Sequence, residues 1–244
     1  MKNNIKNILI VFVLLGMVPI YAGGNDSYKD LSLENFTEGW FDDWEHNHYS
    51  KSQAPFVHLF HLEPAFLDRD LFLDYKINNG QEEKEIEYEF ELEWALTSRI
   101  GLVLEGPYRI LEEQGEDRVR GFGDLGLATR FLLLRDSDSM LSLNVGMEFP
   151  TGSKSKGLSE DELVVNTSFS YWQSFGKKVT WNAQLGMEQG LETEEKTITY
   201  GTALTYSLNS AVTHDHTGNA HNHQGVHFPQ GMTNFMLEYS GRNS

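Results

Sequence analysis

The 244-residue sequence contains no cysteine. That excludes a disulfide framework, a thiolate metal site and a cysteine nucleophile. Basic residues are scarce: 19 Lys and Arg stand against 36 Asp and Glu, a formal charge of −17. Such a surface repels phosphate and excludes nucleic acid as a partner. Beyond residue 20 there is no long apolar run, and mean hydropathy is −0.43. A bundle of membrane helices is excluded too, because each span needs roughly 20 mostly apolar residues. Missing as well are a nucleophile elbow, a P-loop, a dinucleotide fingerprint and a His-Glu-x-x-His helix, so neither an enzyme nor an organic cofactor is expected. What is plentiful, 12% aromatics and 22 glycines, argues against global disorder.

The N-terminus reads as an address. Lys2 and Lys6 precede an apolar run of 13 residues from Ile8 to Ile20, and Ile20-Tyr21-Ala22 lies before Gly23-Gly24. This predicts an export signal over residues 1–22, cleaved because the run is short for a membrane anchor. No cysteine follows it, so a lipoprotein is excluded. Loss of Lys2 and Lys6 takes the charge from −17 to −19. Residues 23–55 are polar, with Trp40, Phe41, Trp44 and Tyr49 interspersed and no regular period. They are expected to form an irregular arm, a plug or flap whose aromatics dock on another surface.

From residue 56 to 244 the texture has period two. In Lys84 to Leu96, Ile86, Tyr88, Phe90, Leu92, Trp94 and Leu96 alternate with Glu85, Glu87, Glu89, Glu91 and Glu93. A helix would scatter both sets around its circumference, so this is a strand. Softer alternation starts at Ile100, Leu125, Leu141, Leu163, Val179, Ile198 and Phe235. Ala65 to Ile77 and Phe56 to Leu62 are further strand candidates. Nine or ten strands of 9 to 14 residues are expected, longer than the 5 or 6 typical of globular sheets and suited to tilted bilayer crossing. Connections alternate between tight (97–99, 135–138, 174–178) and long (112–120, 151–161, 192–196). The predicted fold is all-β, an antiparallel up-and-down transmembrane β-barrel.

Alternation alone does not say which face meets solvent. In a lipid-facing barrel the apolar face is outside; in a soluble ligand-binding barrel it lines the cavity. The small Gly, Ala, Ser, Asn and Thr residues of the polar face, the strand length and aromatics near strand ends (Trp94, Tyr108, Phe131, Phe149, Tyr171, Trp181, Tyr206) favour the first. The lumen would then carry the glutamate ladder 85, 87, 89, 91 and 93, with Glu105, Glu148, Glu188 and Glu238, and the arginines Arg99, Arg109 and Arg130. Two readings stand for this set: a cation-attracting conduit, or an internal ion-pair network that fills a barrel of about eight strands.

A second feature is the connection 209–230, where His214, His216, His221, His223 and His227 surround Asp215. Imidazoles bind Zn, Cu and Ni, but the spacing fits no closed structural zinc motif. A flexible metal collector and a solvated low-complexity loop both remain open. His46, His48, His58 and His61 could add ligands.

Gly121-Phe122-Gly123-Asp124-Leu125-Gly126-Leu127, then Leu141 to Gly152 ending in Pro150-Thr151-Gly152, resemble the outer-membrane barrels grouped with the phenol-degradation meta-pathway family. The stretch 91–108 also fits, extending the resemblance over residues 65–205. It implies a barrel that passes small solutes, aromatic compounds by the family's name, and it brings no catalytic residues. It also implies a longer barrel ending on an aromatic strand. This chain ends Ser240-Gly241-Arg242-Asn243-Ser244, so closing strands are expected to be missing. The expectation is thus a passive transporter in the outer membrane of a Gram-negative bacterium, with lipid and a small solute as partners. The alternative is a soluble periplasmic binding barrel or metal-handling protein that uses the histidine tract.

Overall fold

The computed structural model describes residues 29–45, 47–79, 83–113, 115, 117–159, 161–208 and 233–243. The expected signal over 1–22 and the histidine tract lie outside them. Ten antiparallel strands form one half-barrel sheet: β1 (Leu71–Asn79), β2 (Glu83–Ala95), β3 (Ile100–Glu113), β4 (Val119–Phe122), β5 (Leu125–Arg135), β6 (Ser139–Phe149), β7 (Val164–Phe175), β8 (Val179–Gly190), β9 (Lys196–Ser207) and β10 (Asn234–Asn243). Neighbours follow sequence order, except that β3 pairs with β5 and the short β4 attaches to β3. Among the described residues, β1 and β10 are the two ends of the path.

Alternation fixes the faces. On the convex face, Leu104, Leu127, Met147, Phe169, Leu185, Leu204 and Leu237 are exposed, Leu185 by 61% and Phe169 by 50%. On the concave face, Arg130, Ser142, Asn144, Ser168, Ser170, Asn182 and Thr205 are buried. This is the reverse of a water-soluble sheet, where one face is packed apolar and the other solvated polar. A bulge in β5 between Leu132 and Leu134 changes the parity, so that Leu132 and Arg135 are both buried.

The irregular arm covers the concave face and runs to Asp70, fifteen residues beyond the sequence-based boundary at 55. Phe56 to Leu62 is not a strand, and the strand expected from Ala65 begins at Leu71. Pro55 and Pro64 supply no backbone donor, and both are almost fully buried. Leu31, Trp44, Ala54, Phe66 and Leu67 of the arm form the main apolar core with Ala95, Leu132, Met140 and Trp172 of the sheet. These sheet residues lie at the strand ends joined by tight turns, so the arm plugs that end. Phe56 stacks on Phe66 at 4.8 Å and meets Trp172 edge-on at 5.4 Å. The void left there is about 10 Å³, room for a single water at most. A Cβ at Gly101 would lie 2.9 Å from Leu67 Cδ2, so the leucine would have to shift to admit a side chain there. A second apolar contact, Leu59 and Leu62 on Ala203 with Met236, carries the arm across to β9 and β10.

The arm's tryptophans dock on arginines. Arg69 lies over the rings of Trp44 and Trp94 at 4.8 and 5.2 Å, and Arg99 lies 5.3 Å from both Phe36 and Trp40. Phe41, by contrast, is almost fully exposed. Arg99 occupies the β2–β3 turn and donates to the carbonyls of Asn35, Glu38, Leu132 and Leu133. It is a staple between arm and sheet. Arg99→Ala should lower unfolding free energy by about 2–4 kcal/mol, because buried carbonyls lose their charged donor. Chemical denaturation of the refolded protein measures this, and a change below about 0.5 kcal/mol, the size of an ordinary surface substitution, would contradict the assignment.

Candidate functional site

The concave side of β1, β2 and β3 carries the acids. Register sets Lys76 opposite Glu87, and Glu87 opposite Arg109. Glu87 therefore lies between two cations, with Arg109 Nε 2.8 Å and Lys76 Nζ 3.5 Å away. Lys76 also pairs with Glu89, and Glu85 accepts from Asn78 at 3.2 Å beside Arg109 at 3.5 Å. Glu85, Glu87 and Glu89 are thus held in an ion-pair lattice spanning three strands.

Glu91 and Glu93 lie deeper, toward the plugged end. Arg130, 1% exposed, donates from Nη1 to Glu93 Oε1 at 2.7 Å and to the carbonyl of Phe66 at 3.0 Å. Its Nε donates to Asn144 Oδ1 at 3.0 Å, and its Nη2 pairs with Glu63 of the arm. Asn144 passes the network on to Ser168 and Ser170. His58 of the arm stacks on Phe72 with centroids 3.7 Å apart, and its Nε2 lies 3.6 Å from both Asp74 and Glu91.

Of the expected lumen residues, the structure brings Arg109 and Arg130 onto the glutamate ladder and places Arg99 elsewhere, on the arm's carbonyls. Glu238 accepts from the backbone N–H groups of Phe60 and His61, and Glu188 pairs with Arg242. Three partners were missed in the sequence reading: Lys76, Glu63 and Asn144. Lys76 was legible in principle, as it shares the parity of Phe72 and Asp74. Glu63 lies in irregular chain, where no period points to it. His214, His216, His221, His223 and His227 lie outside the described residues.

Among the described residues, two groups could hold a metal ion: His48 with Asp68 and Asp70, and His58 with Glu91 and Glu93, each offering ligand atoms within 4.8 Å of one another. In the first group, burial and then the neighbouring Asp70 carboxylate push Asp68 up to about 8. Burial also raises Asp70 and lowers the His48 imidazole. That group lies where residues 68–70 run alongside the end of β2, with Glu93 N bonded to Asp70 O and Ala95 N to Asp68 O.

Arg130 is the cation on which the inner acids depend. Arg130→Gln should cost about 3–5 kcal/mol, since it strands the buried Glu93 carboxylate. Adding Glu63→Gln and Glu93→Gln should recover most of the loss in chemical denaturation. A single variant within about 1 kcal/mol of the parent, well below the cost of a broken buried pair, would contradict this role.

The motifs that carry the family resemblance bond to one another at the opposite, long-loop end. Thr151 Oγ1 accepts from Leu125 N at 3.0 Å and donates to Gly123 O at 3.2 Å, while Gly152 N donates to Asp124 Oδ1 at 2.9 Å. A Cβ at Gly152 would lie 2.4 Å from Leu158 O, so only glycine fits this clasp. A search of the curated proteins returns no match. The family model described as "Putative MetA-pathway of phenol degradation" matches residues 93–225. The match contains both motifs, Arg99, Arg109 and Arg130, but not the arm, His58 or Glu85 to Glu91. Because the match spans more than half of the sequence, the chain belongs to this family.

Proposed function

We propose that the chain is a non-enzymatic outer-membrane β-barrel protein of a Gram-negative cell, passing small solutes without an energy source. The observation that carries this reading is the convex apolar band. From β3 to β10 its exposed residues are Leu, Ile, Met, Phe, Trp and Tyr, with Thr202 the polar residue among them on β9, a surface stable against acyl chains and unstable in water. Aromatics edge the band: Phe131, Tyr171, Phe175, Trp181 and Tyr206 toward the tight turns, and Tyr108, Phe122 and Phe149 toward the long loops. Tyr171 and Trp181 meet edge-on at 5.7 Å, and Tyr108 and Phe122 at 5.2 Å. Such girdles are how membrane barrels sit at lipid interfaces. A soluble binding barrel needs the opposite polarity, with the apolar side chains turned inward.

The histidine tract joins β9 to β10, and the residues bracketing it, Leu208 and Thr233, are hydrogen bonded at the tight-turn end. In an outer-membrane barrel that end faces the periplasm. The tract and the arm then share one side of the membrane. A role for the tract in gathering Zn, Cu or Ni belongs to this proposal, as does a solute that is an aromatic compound or a cation. The acidic inner wall favours cations.

Fractionation tests the reading directly. The protein should be recovered in the outer membrane and require detergent; recovery in the soluble periplasm would overturn it. In planar bilayers, Glu85→Gln with Glu89→Gln should lower cation-over-anion permeability by roughly twofold to tenfold, because charge on a lumen wall sets ion concentration inside it. Unchanged selectivity would remove the conduit and leave the lattice as filling.

A further inference from the structure

We infer that His58, Glu91 and Glu93, with Asp74 beside them, bind a divalent first-row transition ion of the zinc class that clasps the arm to the inner wall of β1 and β2. The first ground is geometry. His58 Nε2 lies 3.6 Å from Asp74 Oδ2 and 3.6 Å from Glu91 Oε2. That is beyond hydrogen-bond range. It is close to the spacing of about 3.4 Å between ligands of a tetrahedral ion with bonds of about 2.0–2.2 Å.

The second ground is unmet bonding capacity. Both ring nitrogens of His58, Glu91 Oε1 and Glu93 Oε2 are buried with no hydrogen-bond partner among the described residues. Glu93 itself is 2% exposed. Leaving one such atom unpaired costs about 1–3 kcal/mol, and more when it is charged, so an unpaired buried atom on each of three neighbouring residues calls for a common partner, which would take one of the two His58 ring nitrogens.

The third ground is charge. Among the described carboxylates, Arg130 pairs with Glu93 Oε1 and Glu63, while Lys76 is taken by Glu87 and Glu89. Register also sets Glu91 opposite Glu105 and Asp74 opposite Glu89, like-charge pairs that are unfavourable across a sheet. A doubly charged cation reverses the sign of these terms. Imidazole together with carboxylates selects zinc-class ions over Mg and Ca, which take oxygen alone. Stacking on Phe72 orients the ring, as the residues around metal ligands do. One ligand comes from the arm and the others from the wall, so the bound ion ties the plug to the half-barrel.

The test uses the full chain, refolded in detergent, with His214, His216, His221, His223 and His227 changed to Asn so that the tract does not compete. After dialysis against metal-free buffer, Zn²⁺ is added and the retained metal is counted by mass spectrometry. One equivalent per chain is expected, with an X-ray absorption signature of one imidazole nitrogen and otherwise oxygen. His58→Gln and Glu91→Gln should each weaken binding at least 100-fold, while His48→Gln leaves it unchanged. Far-UV circular dichroism checks that each variant folds. No retained Zn²⁺ in the tract-substituted protein, a signature of several imidazoles, or loss of metal with His48→Gln but not with His58→Gln would each overturn the inference. Because the His48, Asp68 and Asp70 group would give the same one-imidazole signature, the spectrum is also recorded on the His48→Gln protein, where the signature and the single equivalent should persist.

Discussion

Arg130 is buried on the inner face of β5, and the deeper part of the inner side is arranged around its charge. Its guanidinium joins β2 through Glu93, β6 through Asn144 and the arm through Glu63 and the Phe66 carbonyl. A buried ion pair is weak evidence of stability by itself, but removing one partner is costly because the other charge stays buried. The same side chain therefore does two things. It allows Glu93 to be inside, and it gives the arm a polar anchor beside its apolar one.

The arm solves a problem set by the sheet. A sheet with its apolar side chains outward has little apolar to pack inside: the patch of Ala95, Leu132, Met140 and Trp172 near the tight turns, and Ala203 with Met236 on β9 and β10. The arm covers that patch and brings its own donors and acceptors to the rest: Glu63 to Arg130, backbone N–H groups to Glu238, backbone carbonyls to Arg99 and Arg135. The acids toward the long loops need no such cover, because Lys76 and Arg109 already interleave them. The inner wall thus divides into a self-paired lattice and a deeper part that depends on the arm.

Strand positions were legible because their cause is local. The two-residue period of β2 and the turn residues between Ala95 and Ile100, or Arg135 and Ser139, lie within a few residues of one another. The identity of the outer face was legible from side-chain size, since only small or polar residues occupy the crowded side. Partners were less legible. Arg99 shares the parity of the inner face, yet it caps carbonyls in a turn, a choice made by the arm's path and not by strand pattern. Arg135 faces inward only because a bulge changes parity after Leu132. The Gly123-Asp124-Leu125 and Pro150-Thr151-Gly152 segments could be matched to a family, but that they bond to each other depends on β5–β6 register. The extent of the arm was misjudged because Phe56 to Leu62 contains enough apolar residues to imitate a strand, while the prolines at 55 and 64 break it.

The central claim is that the convex face meets acyl chains and the concave face does not. Single-tryptophan variants in vesicles of brominated lipid test it most directly. Trp181 is on the convex face at 38% exposure, and Trp172 is fully buried beneath the arm. With the other four tryptophans replaced by Phe, fluorescence from Trp181 should be strongly quenched and that from Trp172 nearly unaffected. Equal quenching of the two, stronger quenching of Trp172, or no quenching of either would contradict the account.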